Sequence, residues 1–192
     1  MPKTPLHPDK SALKKVALQL AEGQQGAIGQ LYRWFFQRLV RYGVQIVGME
    51  RQDLVKTTVQ DFFMWLVEHP QRLKEVDNIE RFILKSIRTN LIQAQIKQQK
   101  KQQVRNDYQN HMSQKPTSPN ASPEKILIDQ EEQFLQKKQV INALNSLPPV
   151  QREVLYLRYF QDLSYRDIAA LLEVDEQVAR NYGYRALKKL RK

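Results

Sequence analysis

Apolar residues recur along this chain at helical spacing. Leu13, Val16, Ala17 and Leu20 fall at i, i+3, i+4 and i+7 and predict an amphipathic helix ended by Gly23. Ile28, Leu31, Tyr32, Phe35, Leu39, Tyr42 and Ile46 predict a second, stopped by Gly48. Val55, Val59, Phe62, Phe63 and Leu66 mark a third, which ends before Pro70. Asp77 with Glu80 three residues on reads as a capping-box start for a fourth, with Ile79, Phe82, Ile83, Ile87, Leu91 and Ala94 on its apolar face. No stretch sustains the period-2 alternation of a half-buried strand, so the expected fold class is all-α, without a sheet.

The pattern lapses between Asn106 and Ser122, a polar stretch with no apolar period, preceded by six Gln between Gln93 and Gln103. This composition predicts a fraying helix end that runs into a flexible linker. Two small helical domains follow, 1–103 and 123–192, joined by a linker over 104–122. Beyond it, Ser122-Pro123 has the form of an N-cap followed by an N1 proline and opens a helix with Leu127, Phe134, Ile141 and Leu144 inward. Leu147-Pro148-Pro149 breaks that helix and starts another, from Val150 to about Phe160. Ser164, with Asp167 three residues on, caps a short helix through Leu172, and Asp175 caps the last one.

Charge sharpens the picture. The 192 residues carry 31 Lys and Arg against 20 Asp and Glu, a formal net charge of +11. Seven basic residues and no acid lie between Arg81 and Arg105, and six more, again without an acid, between Val178 and Lys192. Glu124 to Glu176 carries ten acids and six bases, a net of −4. Two separate basic runs in a basic chain point to two contacts with a polyanion, nucleic acid ahead of a membrane surface.

Other chemistries find little support. Without Cys there is no disulfide, thiol nucleophile or Cys-ligated zinc. His7, His69 and His111 form no metal-spaced pair, and the six Gly are scattered without a phosphate-cradling motif. No apolar run approaches the ~18 residues of a membrane span. The amino terminus has no apolar stretch of the secretory kind. A cytoplasmic protein without enzymatic activity, cofactor, metal or small-molecule substrate is expected, a monomer when free.

The sharpest local signal lies between Ser164 and Leu190. A short helix ending in Leu171-Leu172 meets the turn Glu173-Val174-Asp175 and then a longer helix. In that helix Ala179, Tyr182, Gly183, Ala186, Leu187 and Leu190 share one face. Gln177, Arg180, Asn181, Tyr184, Arg185 and Lys188 occupy the other. Arg and the amides offer donor–acceptor pairs to base edges in a major groove, and Lys takes phosphates.

Residues Ala143 to Lys192 resemble the fourth conserved region of bacterial RNA polymerase sigma factors. The resemblance rests on Leu147-Pro148-Pro149-Val150-Gln151-Arg152-Glu153-Val154-Leu155, Leu157-Arg158-Tyr159-Phe160, Leu163-Ser164-Tyr165, Asp167-Ile168-Ala169, Arg180-Asn181-Tyr182 and Tyr184-Arg185-Ala186-Leu187-Lys188-Lys189-Leu190. It implies that this domain reads the minus-thirty-five promoter element and touches the polymerase flap. Glu173 stands where the family has Gly in a left-handed turn, at a cost of about 1 kcal/mol. Gly183 stands where it has a larger apolar residue, and a gap in the buried face is expected there.

Ile28 to Ile92 resembles the second conserved region of the same family. Leu31-Tyr32 is similar to its first helix, and Val59-Gln60-Asp61-Phe62-Phe63 with Leu66 and Glu68-His69 to its polymerase-clamp helix. Lys56-Thr57 replaces an acidic pair common in the family. Ile79 to Ile92 resembles the helix beside the melted minus-ten element. The resemblance assigns Gln60, Asp61 and Phe62 to polymerase binding. It assigns Lys74, Asn78, Arg81, Lys85, Arg88 and Asn90 to the minus-ten strands, where cations must track the backbone and flat groups receive unstacked bases. The short spacing between the regions is that of the extracytoplasmic-function group. The implied function is a sigma factor that joins core RNA polymerase, recognises two promoter elements and assists melting, with an anti-sigma factor as a further partner. The alternative is a stand-alone helix-turn-helix regulator with an amino-terminal sensing or dimerising domain.

Overall fold

The computed structural model describes residues 8–110 and 143–191. Among them there is no strand. Four helices form the amino-terminal part: α1 (Lys10–Ala21), α2 (Gln25–Val47), α3 (Gln52–Glu68) and α4 (Ile79–Asn110). Three form the carboxy-terminal part: α5 (Pro149–Tyr159), α6 (Tyr165–Leu172) and α7 (Glu176–Leu190). Residues 143–145, ahead of α5, are also helical, whereas the expected linker from 111 and the helix start at Ser122-Pro123 lie outside the described residues.

The periodic residues are the ones that go inside. Leu31, Phe35, Leu39 and Tyr42 of α2 are fully buried, as are Val55, Val59 and Leu66 of α3 and Ile83, Ile87 and Leu91 of α4. α2 is the central element and packs on α1, α3, α4 and α5. Gly43 marks a close crossing: a Cβ there would stand 2.5 Å from Val55 Cγ1 and 2.8 Å from Leu91 Cδ1.

Helix ends follow local chemistry. Gly23 and Gly48 take φ of +82° and +98°, the region where glycine alone is unstrained, and terminate α1 and α2. Asp9 accepts a hydrogen bond from the Ala12 amide at the start of α1. The cap of α4 is Asn78 rather than Asp77: its Oδ1 accepts from the Arg81 amide at 2.9 Å. That leaves Lys74 and Asp77 exposed in the preceding turn. Two short 3-10 turns, Met49–Arg51 and Pro70–Leu73, bracket α3. The fourth helix runs seven residues past 103, to Asn110.

The carboxy-terminal helices continue the same apolar cluster. Val154, Leu157, Ile168, Leu171 and Ala179 are buried in one core with the residues of α2, α3 and α4. Leu147, Leu155 and Ala186 form a smaller cluster, with Leu144, Leu187 and Leu190 packed at its margin.

Candidate nucleic-acid interface

Ser164 opens the helix-turn-helix with a reciprocal cap. Its Oγ accepts from the Asp167 amide at 3.1 Å and donates to the Asp167 carboxylate at 2.6 Å. Replacing Ser164 by Ala is expected to cost about 1 kcal/mol of stability, read as a lowered urea midpoint with unchanged slope. Glu173 ends α6 in the left-handed conformation at φ +59°, ψ +46°, as its place in the turn demands. Asp175 follows as the N-cap residue of α7, with extended backbone and no side-chain cap bond.

α7 divides as its sequence implies. Ala179, Gly183 and Ala186 are buried, with Tyr182, Leu187 and Leu190 half-buried. Gln177, Arg180, Asn181, Tyr184, Arg185 and Lys188 are all exposed. Gln177 Nε2 donates to Asn181 Oδ1 at 3.3 Å, so the two amides lie side by side. The gap expected at Gly183 is absent. A Cβ there would lie 2.7 Å from the Tyr165 hydroxyl, so the Tyr165 ring fills the space a larger residue would occupy.

The amino-terminal candidates separate into three groups. Lys85 and Asn90 are exposed and line one cleft, about 400 Å³ in volume, together with Phe62, Trp65, Arg72 and Phe82. Phe62 and Trp65 stack at 6.2 Å between centroids, and Trp65 stacks on His69 at 4.9 Å. Such a cleft has aromatic faces for a flat heterocycle and cations at its edge for a phosphate. Arg81 and Arg88 are half-buried, Asn78 is engaged as the cap, and Lys74 is exposed outside the cleft.

On α3, Gln60 and Asp61 face outward beside exposed Met64 and Val67. Phe62, expected at the polymerase contact, is instead buried in the core at 2% exposure and faces the cleft. A side chain on that side of α3 cannot share a surface with Gln60 and Asp61. Trp65 and Arg72 were not singled out from the sequence. The i, i+3 spacing of Phe62 and Trp65 was the available signal, masked because the same spacing also marks core.

The two parts meet through charge. Lys85 Nζ lies 2.8 Å from Glu173 Oε1, and the ammonium holds that exposed carboxyl below the usual carboxylate value. Arg88 Nε donates to Glu153 Oε1 at 3.0 Å, and the Tyr42 hydroxyl donates to the same oxygen at 2.7 Å. Burial pushes the Tyr42 phenol well above its ordinary value, with the Glu153 charge adding to it. Arg152 Nε reaches the Gln45 carbonyl at 3.0 Å, and Arg38 bonds both Glu80 and Gln161. Thus two cations assigned to the minus-ten strands are satisfied by carboxylates from α5 and the α6–α7 turn. Among the described residues no group of three potential ligands could hold a metal, and no helix is long and apolar enough to cross a membrane.

Comparison with known proteins agrees with this architecture. Residues 137–190 match the family model for sigma-70, region 4, a span that includes the whole helix-turn-helix of α6 and α7. The chain is also similar in fold to the sigma factor RpoE of Bartonella quintana, solved in complex with the anti-sigma factor NepR. The TM-score is 0.57 at 17% identity, over 84% of this chain and 92% of that one. No curated protein matches the sequence. The match over 137–190 and the likeness in fold over most of the chain agree on one architecture, a region-4-like helix-turn-helix at the carboxy end of a two-part helical chain.

Proposed function

We propose that the protein binds core RNA polymerase, directs it to promoters and assists strand opening, without itself being an enzyme. The observation that carries this reading is the outward face of α7, where Gln177, Arg180, Asn181, Tyr184, Arg185 and Lys188 stand exposed on a helix whose other face is buried. In this reading that face enters the major groove of the minus-thirty-five element. The cleft beside α4, with Asn90 at hand, receives the minus-ten strand, Arg81 lies on the same helix, and Lys85 and Arg88 reach the backbone once Glu173 and Glu153 release them. Gln60 and Asp61 meet the polymerase clamp. A regulator that acts without polymerase has no use for the α3 surface, which is exposed and includes Met64 and Val67. The solved relative is held by an anti-sigma factor, and an equivalent partner is proposed here. The site of action is the cytoplasm.

Strand capture requires the carboxy-terminal part to move off α4, because Glu153 and Glu173 occupy the cations the strands need. The test is transcription by reconstituted holoenzyme on a promoter with a substituted upstream element. Arg180→Ala is expected to cost about 1–3 kcal/mol of base discrimination and to change which upstream substitutions are tolerated. Lys188→Ala is expected instead to weaken every promoter alike and to lower the salt slope of binding by about one. Promoter strength and base preference both untouched by Arg180→Ala would show that α7 is not oriented into the groove. Asp61→Lys is expected to weaken core polymerase binding with unchanged circular dichroism.

A further inference from the structure

Tyr165, the first residue of α6, lies half-buried with its ring edge against α7, in the space above Gly183. Besides the hydroxyl at 2.7 Å, a Cβ at position 183 would meet Cε1 at 3.1 Å and Cζ at 3.3 Å. Gly183 has no positive φ, so its position does not call for glycine's backbone freedom. What the position needs is the missing side chain, which lets an aromatic ring approach the helix.

Two guanidinium groups lie over that ring. Arg180 Cζ is 5.2 Å from the ring centroid and Arg158 Cζ is 5.5 Å, both within cation–π range. Arg158 is tied down by its Nη1, which donates to the Leu163 carbonyl at 3.1 Å. Arg180 is one turn ahead of Gly183 on the exposed face of α7, and its Nε also donates to Glu176 at 3.1 Å. The guanidinium of a proposed base-reading residue is therefore held by a ring from the preceding helix and a carboxylate one turn earlier. An unrestrained arginine would lose rotamer freedom on contact with DNA, and a bidentate contact to guanine needs the plane of the fork aligned with the base edge.

We infer that Tyr165, seated on Gly183, is a positioning residue that sets the direction in which Arg180 leaves α7, and thereby the base pair at which Arg180 discriminates. This rests on the reading of α7 as the promoter-contacting helix. The device depends on the ring and on the absent Cβ, so two unlike substitutions must have one consequence. Tyr165→Leu removes the ring. Gly183→Ala keeps every charged and aromatic group and pushes the ring away.

The experiment is transcription by holoenzyme from promoters randomised in the upstream element, with starts counted by sequencing. Arg180→Ala is expected to flatten the preference at one base pair severalfold or more. Tyr165→Leu and Gly183→Ala are expected to flatten the same base pair, Tyr165→Phe to leave it nearly unchanged, and Tyr165→Leu to add nothing to preference in an Arg180→Ala background. A role in packing alone would lower output from all promoters in proportion and leave the preference intact, and that result overturns the inference. If Tyr165→Leu does not fold, Gly183→Ala carries the test with the same two outcomes. If Arg180→Ala itself leaves preference unchanged, the reading of α7 falls, and the inference with it. If Arg180→Ala flattens a base pair that Tyr165→Leu and Gly183→Ala leave sharp, only the inference falls.

Discussion

Glu153→Ala is expected to lower the stability of the chain by about 3–5 kcal/mol in urea unfolding at pH 7. Glu153 is 2% exposed, and one of its oxygens receives both the Tyr42 hydroxyl and Arg88 Nε. Alanine would leave the hydroxyl of a fully buried tyrosine and a half-buried guanidinium without an acceptor, which costs far more than the net worth of the contact. Glu153→Gln keeps the shape and one acceptor oxygen and is expected to lose much less. The pH dependence separates the two effects. Burial pushes the Glu153 carboxyl above the usual carboxylate value, against the opposing pull of Arg88 and Tyr42. The native chain then holds this proton more tightly than the unfolded chain. Its contribution is fully present below the unfolded value of about 4.3 and is lost as pH rises through the raised native value. The difference in unfolding free energy between Glu153→Gln and the parent should therefore grow in favour of the variant from about pH 4 upward. A difference constant across that window would show that burial does not dominate at this site.

Gly43→Val is expected to destabilise the chain by about 3 kcal/mol or more, although helix propensity alone slightly favours valine over glycine. The added Cβ would lie 2.5 Å from Val55 Cγ1 and 2.8 Å from Leu91 Cδ1, both on fully buried side chains with no solvent to move into. α2 must then separate from α3 and α4, loosening the packing around Tyr42 one residue away. Gly29→Ala is the control. Its Cβ meets only Arg33 Nη1, at 3.8 Å, so the propensity gain of roughly 1 kcal/mol is expected as increased stability. Thermal or urea unfolding of the pair checks this. Equal effects of the two substitutions would mean that the crossing at Gly43 can open without cost.

Much of the architecture was legible before folding because its causes are local. Leu31, Phe35, Leu39 and Tyr42 announce a helix face through residues three or four apart, and the structure buries all four. Ser164 with Asp167 announces a cap, and the bonds between them span three residues. The face of α7 was readable for the same reason, since every side chain on it is placed by helical geometry alone. Local cues failed where two nearby residues competed for one role, as Asp77 and Asn78 did at the start of α4. They failed again where core and surface share a periodicity, as with Phe62. The remaining features depend on approach between distant segments. Tyr42 and Glu153 are 111 positions apart, and Arg88 and Glu153 are 65 apart. No spacing rule links them, because which carboxylate meets which cation follows from how α5 and α6 settle on α2 and α4. Gly43 and Gly183 are likewise unremarkable as letters. Their importance lies in what stands 2.5–2.8 Å from a Cβ they do not have, and only packing in three dimensions puts those neighbours there.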